Sequence, residues 1–403
     1  MLFDPDRHEP LRATAWNAER AHEALIAIVR DAEHQRLPQG HWPVHPRDEE
    51  GAPARTGFKG LYLGSAGVLW ALWYLQREGT VKLGTLDPCE AIETVAAAYE
   101  AEPDSGKVVP SYYLGEVGIL LVQWRLTGAA QVAERLHAAI RANIPNPTNE
   151  ALWAAPGTMV AAWHLWQVTQ EPRWRDLFAE NVDRLWRTWL YDDKLGCHLW
   201  TQDMYERVVQ YYGAGHGFVG NVYPLLKGAA LLDAPRREEL FVRCEQMLRA
   251  TAQREGSAVN WPSGSFKPRV GTSLLVQWCH GAPGFVTGLA DFPRGQSAAL
   301  DAMLVGAGET VWQAGPLNKG PGLCHGTAGN GYAFLKLHRR TGAPVWLERA
   351  RAFAMHAIEQ SEQMRQQHGR GRYSLWTGDL GLAVYLWHCI QGEAGLPGLD
   401  TLG

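Results

Sequence analysis

An all-α fold, an α/α toroid of about seven helical hairpins with buried helices inside and amphipathic helices outside, is what the sequence predicts. Three observations lead there. A Gly-x-x-Gly turn recurs ahead of apolar segments; successive copies lie 39 to 64 residues apart, room for two helices and two loops; and two kinds of helical pattern alternate along the chain. Closure into a ring is an inference from the even repetition, and an open solenoid shares the same pattern.

Residues 1–59 precede the repeats as an N-terminal helix and loop, 60–391 form the repeat core, and 392–403 read as a loose tail, all within one domain. The turns are Gly64-Ser65-Ala66-Gly67, Gly115-Glu116-Val117-Gly118, Gly217-Phe218-Val219-Gly220, Gly281-Ala282-Pro283-Gly284, Gly326-Thr327-Ala328-Gly329 and Gly378-Asp379-Leu380-Gly381. A degraded copy, Ala154-Ala155-Pro156-Gly157, makes seven. Segments opening at these turns (68–75, 119–126, 331–337) are apolar on nearly every face, which predicts burial on both sides. A second turn, such as Leu126-Thr127-Gly128 or Arg340-Thr341-Gly342, then opens a more polar helix, as at 129–140, 345–360 and 235–253. The Pro-, Gly- and charge-rich stretch 38–59 is the other segment expected to be loose.

The bulk composition narrows the function. Apolar residues at 46% suffice for a core, and a net charge of −4 argues against nucleic acid as a partner. No run of 18 apolar residues exists, and the start, Met1-Leu2-Phe3-Asp4-Pro5-Asp6, lacks a charged region followed by an apolar one. Six cysteines in 403 residues do not make a disulfide framework. A cytoplasmic protein with no membrane partner is expected.

Equivalent hairpins in a ring present the residues just before each first glycine toward one axis. Those places hold Tyr62, Tyr113, Trp153, His216, Cys279, His280, Cys324, His325, Trp376 and Thr377. For any single copy a tight helix-entry turn is explanation enough; the gathering of Cys and His in three successive copies is not. Two Cys-His-Gly triplets 45 residues apart, at Cys279 and Cys324, read as a split metal site of two thiolates and one or two imidazoles, a donor set that suits Zn²⁺. Cys197-His198 and His388-Cys389 lack the following glycine, and Cys89 and Cys244 read as structural.

Four motifs carry a resemblance over nearly the whole chain. They are Tyr212-Gly213-Ala214-Gly215-His216-Gly217, Trp278-Cys279-His280-Gly281-Ala282-Pro283-Gly284, Lys319-Gly320-Pro321-Gly322-Leu323-Cys324-His325-Gly326-Thr327-Ala328-Gly329-Asn330 and Tyr373-Ser374-Leu375-Trp376-Thr377-Gly378. In these the chain resembles the lanthionine synthetase C-like family. The resemblance implies a toroid with a central zinc held by Cys279, Cys324 and His325, and thioether formation by addition of a thiol to dehydroalanine or dehydrobutyrine. His280, where lantibiotic cyclases generally carry Tyr, and the following Ala-Pro-Gly are similar to the stand-alone, eukaryotic-type branch. That branch is associated with glutathione and with its addition to dehydroamino acids in proteins. Lys319 matches a basic position near the glutathione, and an acidic residue of the cyclases falls at Glu150, although the third repeat departs from the Gly-rich pattern there.

The chemistry is consistent without the family. Two thiolates cancel the zinc charge, so a site with one exchangeable position activates a thiol and leaves its sulfur nucleophilic, whereas three imidazoles better suit activation of water. His216, in the register of the fourth repeat, is the expected acid/base that returns a proton to the α-carbon, and His280 a neighbouring relay. Lys319 offers a charge to a glutathione carboxylate, while Trp278, Trp376 and Tyr113 have the register to line the cavity as substrate contacts. A dehydroamino-acid-containing peptide or protein is the expected second partner. Three other readings are weighed: a peptide lanthionine cyclase, a zinc- and glutathione-binding adaptor without catalysis, and a toroid glycosidase, which would need paired carboxylates instead of sulfur donors.

Overall fold

The structure, a computed structural model, describes residues 1–49, 57–266 and 274–402. Fourteen α-helices occur among them. Seven open at the repeat turns: α2 (Ser65–Arg77), α4 (Glu116–Thr127), α6 (Ala155–Thr169), α8 (Phe218–Lys227), α10 (Ala282–Leu289), α12 (Thr327–Thr341) and α14 (Asp379–Gln391). The others are α1 (Ala18–His34), α3 (Pro88–Ala101), α5 (Ala130–Asn143), α7 (Pro172–Thr188), α9 (Ala234–Thr251), α11 (Ala298–Ala314) and α13 (Pro344–His368).

The ring is closed. Each inner helix packs on the next, α2 on α4 and so on to α14, and α14 packs back on α2. The outer helices α3, α5, α7, α9, α11 and α13 each cover the inner helix that precedes them, but the seventh hairpin is assembled from both ends of the chain, because α14 is covered by α1. The N-terminal helix is therefore part of the ring wall. Its buried face (Ala21, Ala24, Leu25, Ile28, Val29, Ala32) supplies the apolar surface against which α14 is buried.

The second glycine of each turn is the one that all seven copies keep. A Cβ there would stand 1.6 to 2.5 Å from the carbonyl oxygen six residues earlier, at Gly67, Gly118, Gly157, Gly220, Gly284, Gly329 and Gly381 alike. The loop thus folds back onto the first helical turn with backbone touching backbone. The third copy keeps Gly157 while Ala154 takes the capping position in an extended conformation, although at the first glycine of the other six turns a Cβ would also meet backbone at 1.9 to 2.5 Å. Gly329 has the shortest approach, 1.6 Å to Leu323 O, so Gly329→Ala is expected to destabilise the fold by roughly 1–3 kcal/mol, the range for overpacking, read as a lower urea midpoint. An unchanged midpoint would show that the loop can yield.

Two features depart from the sequence reading. Six short strands, missing from the all-α expectation, form three antiparallel ribbons: β1 (Leu190–Asp192) with β2 (Cys197–Leu199), β3 (Gln202–Met204) with β4 (Arg207–Val209), and β5 (Gln253–Glu255) with β6 (Ala258–Asn260). They occupy the links from α7 to α8 and from α9 to α10, where the repeat spacing is longest. The second departure is the C-terminal segment, predicted to be loose. Leu396, Leu399 and Leu402 are buried, Trp70 Nε1 donates to Leu402 O (3.0 Å), Tyr112 donates to Gly398 O, and Asp400 is held by Tyr223, Lys227 and Lys336. Buried charge pairing and apolar contact, not local periodicity, order this segment. Of the other stretch expected to be loose, residues 50–56 lie outside the described residues, while Trp42 is buried and donates to Ala32 O (2.6 Å).

Candidate metal centre at the mouth of the ring

A thread of backbone hydrogen bonds runs round one end of the toroid and sets the site. The residue two places before each capping position is bonded to its counterpart in the adjacent hairpin: Tyr62 N to Tyr113 O (3.0 Å), Trp376 N to Tyr62 O (3.1 Å), Cys324 N to Trp376 O (2.8 Å), Cys279 N to Cys324 O (3.2 Å) and Gly215 N to Cys279 O (3.2 Å). The third hairpin joins differently. Ser111 Oγ donates to Leu152 O (2.6 Å), and the carboxylate of Glu150 accepts from Leu152 N (2.9 Å) and Trp153 N (2.7 Å) and meets His216 Nδ1 (2.9 Å) in the fourth. Residues hundreds of positions apart are thereby fixed edge to edge.

Cys279 and Cys324 are neighbours on this thread, and their sulfurs lie with a ring nitrogen of His325 within 4.8 Å of one another. Cys279 sits in a tight turn closed by reciprocal bonds between Gln277 and His280, N to O, both 3.1 Å. Gly281 follows at φ +105°, where a side chain would be strained and its Cβ would meet Leu275 O at 1.9 Å. The three donors are close enough to serve one ion at ~2.3 Å from sulfur and ~2.0 Å from nitrogen, and two soft thiolates with one imidazole fit zinc. The thiol pair is strongly coupled. The hydrogen bond from Cys324, with His325 nearby, holds Cys279 well below the usual thiol range despite burial, whereas burial and the charge of Cys279 push Cys324 up.

The structure brings His216 and His280 beside this group but not into it, with ring centres 5.9 Å apart and Tyr211 about equally close to both, 6.0 and 5.8 Å. Burial alone would depress His216; the hydrogen bond and charge of the fully buried Glu150, aided by Cys279, outweigh it and raise the imidazole above its ordinary value. His280 moves the other way, lowered by burial and by the neighbouring His216 and Lys319 against the opposing pull of Cys279. Half-buried Lys319 is depressed by burial and by Arg7, with Cys279 and Cys324 pulling it back. Arg7 is there because the N-terminal segment lies against the loop ahead of Lys319, Glu9 N bonding Pro316 O (2.8 Å) and Asn318 N bonding Arg7 O (3.1 Å).

The aromatic residues expected as substrate contacts pack on one another. Trp376 stacks on Tyr62 (6.1 Å) and packs against Tyr113 (5.2 Å) and Trp278 (4.5 Å). Exposures of 2% for Tyr113, 3% for Trp278 and 0% for Trp376 make them a packed floor. Large rings at axis-facing positions bury one another, which register alone does not reveal. Tyr113 and Trp278 also border a small apolar cavity closed by Leu396 and Leu399 of the C-terminal segment. His388 is a satisfied core residue between Tyr74 Oη (2.9 Å) and Tyr332 Oη (2.8 Å). Residues that sequence reasoning did not single out include Gln277, whose Nε2 lies 3.0 Å from Cys279 Sγ, and Arg7.

Fold and site together define a closed α/α toroid with two sulfurs and one imidazole gathered at one mouth. The family model for lanthionine synthetase C-like proteins matches residues 58–400, and the chain belongs to that family. Among its relatives, a zebrafish (Danio rerio) protein described as glutathione S-transferase LANCL1 is 38% identical over 149 residues, 36% of this chain and 35% of that one. The LanC-like protein GCL1 of Arabidopsis thaliana is 37% identical over 201 residues, 47% of this chain and 43% of the relative. The matched stretches thus span less than half the length of either relative. The solved structure of nisin cyclase superposes with a TM-score of 0.64 at 13% identity, covering 93% of this chain and 98% of that one, a likeness of fold. No helix among the described residues is long and apolar enough to cross a membrane.

Proposed function

We propose that the protein is a zinc-dependent, thioether-forming enzyme that adds a thiol, glutathione foremost, to dehydroalanine or dehydrobutyrine in a peptide or protein. The observation that carries this is the convergence of Cys279, Cys324 and His325 beside the Glu150–His216 pair. These three side chains would hold zinc, which when bound would lower the pKa of a substrate thiol without quenching its sulfur. The transferase description of the zebrafish relative and the cyclase fold of nisin cyclase support the same class of reaction.

In the addition, a sulfur–carbon bond forms at the β-carbon and the alkene pair moves onto the carbonyl oxygen. The resulting enolate must take a proton at the α-carbon. His216 has Nδ1 engaged by Glu150, so Nε2 is the nitrogen that delivers it, and the raised pKa favours the protonated ring. His280, held towards its neutral form and 5.9 Å from His216 between ring centres, is the base that takes up the proton the substrate thiol gives up, and it can then pass that proton to His216. Lys319 and Arg7 supply positive charge for the carboxylates of glutathione.

Mass spectrometry of a dehydroalanine peptide incubated with glutathione and the protein tests the reading. A glutathione adduct forming faster with protein than without supports it, and equal rates reject it. Offering a peptide that also carries a free cysteine distinguishes a cyclase, which would close the ring in preference to taking glutathione. His216→Ala is expected to lower turnover about 10²-fold with zinc and glutathione retained, whereas an adaptor has no turnover to lose. Because Glu150 raises the His216 pKa and the protonated ring is the active form, Glu150→Gln should shift the alkaline fall in rate to lower pH. A profile that stays in place would exclude His216 as the proton donor.

A further inference from the structure

Three sulfurs share a site of the proposed kind: the substrate thiol and the two cysteine ligands. An electrophilic acceptor can be attacked by any of them, and attack by a ligand would end catalysis by alkylating the metal site. Something must set the ligand sulfurs apart.

The surroundings of those sulfurs supply a device. Gln277 Nε2 donates to Cys279 Sγ at 3.0 Å, and the turn that closes Gln277 onto His280 leaves the amide little freedom to move away. The same amide is buried, and its Oε1 has no hydrogen-bond partner. An orphaned buried carbonyl is costly, and a smaller apolar side chain would avoid it, so the N–H directed at sulfur is what the position provides. The matching place two residues before Cys324 is Gly322, which has no side chain to offer such a donor. A hydrogen bond to a thiolate draws charge from sulfur and lowers its nucleophilicity.

We propose that Gln277 is a positioning residue that passivates the sulfur of Cys279, so that this ligand does not compete with the substrate sulfur for the acceptor. This rests on the assignment of Cys279 and Cys324 as zinc ligands. Iodoacetamide is the probe: a ligand thiolate forms a sulfur–carbon bond with the acetamide carbon and iodide leaves. Zinc-loaded wild type, Gln277→Met and Gln277→Leu are treated with it, zinc content is measured before treatment, and each cysteine is followed by peptide mass spectrometry, with Cys324 as the internal reference.

The expected result is selectivity for one sulfur. Gln277→Met should speed alkylation of Cys279 about 10-fold with Cys324 unchanged and zinc still stoichiometric. Equal sensitisation of both sulfurs, or none, overturns the proposal, because a packing defect opens the site without choosing between them. Should Gln277→Met fail to fold or to hold zinc, Gln277→Leu, which also removes the donor, decides by the same criterion. Absence of zinc from the wild type would instead remove the metal assignment itself.

Discussion

Cys324→Ala is expected to take bound zinc from one per chain to none and to bring glutathione addition down to the uncatalysed rate. The argument separates the metal from the fold. Cys324 contributes to the thread round the mouth through its backbone alone, donating to Trp376 O and accepting from Cys279 N, and alanine keeps both groups. The helix that follows, α12, is capped by Gly326 and anchored by Gly329, neither of which changes. What disappears is one of three donors, leaving a thiolate and an imidazole. Loss of an outer partner of a ligand already costs ~10–100-fold in metal affinity, and loss of a ligand costs more. Metal analysis after dialysis, circular dichroism and the adduct assay check the three parts together. Retention of stoichiometric zinc in a folded variant would mean that the ion, if any, lies elsewhere.

Much of the architecture was legible because it is local. A glycine pressed on a carbonyl six residues back recurs wherever an inner helix begins, so the turn, the helix after it and the shared end of the ring can all be read from one short pattern. The same register gathers Cys and His in three successive copies, the family resemblance narrows the donors to Cys279, Cys324 and His325, and the structure brings those three together. What could not be read depends on pairing between distant segments. The seventh hairpin joins α14 to α1, and no periodicity near residue 380 announces a partner near residue 25. Glu150 stands where the third turn has lost its first glycine, so the pattern that locates every other mouth residue is weakest at the carboxylate that orients His216. Trp278, Trp376 and Tyr113 have the register of a cavity wall, yet mutual packing turns them into a floor. Their number, not their position, decides.

Asp400→Ala carries the largest expected effect on stability, although its position near the C-terminus in a Gly- and Pro-rich stretch suggests none. Its Oδ1 accepts from Lys227 Nζ (2.9 Å) and Tyr223 Oη (3.0 Å), and its Oδ2 accepts from Leu396 N (2.8 Å). Lys336 Nζ, fully buried, lies 2.7 Å from Oδ2 at an angle outside hydrogen-bond geometry, a contact between charges. Asp291 is Lys336's other carboxylate, 3.9 Å away and partly exposed. Removing Asp400 strands a buried ammonium, for which a loss of about 3–5 kcal/mol is expected, a large share of the ~5–15 kcal/mol that holds a domain folded. The pH dependence has a definite sign. Burial would raise the Asp400 pKa, but Lys336 and Lys227 outweigh it and hold the carboxyl far below its ordinary value. Its contribution is therefore complete above the unfolded value of about 3.9 and is lost as pH falls below that towards the folded one. Urea midpoints of the wild type should drop between about pH 5 and pH 3 more steeply than those of Asp400→Ala, which has already lost this group. Parallel curves, or a variant as stable as the wild type at pH 7, would show that the segment from Leu396 to Leu402 closes the ring by apolar contact alone.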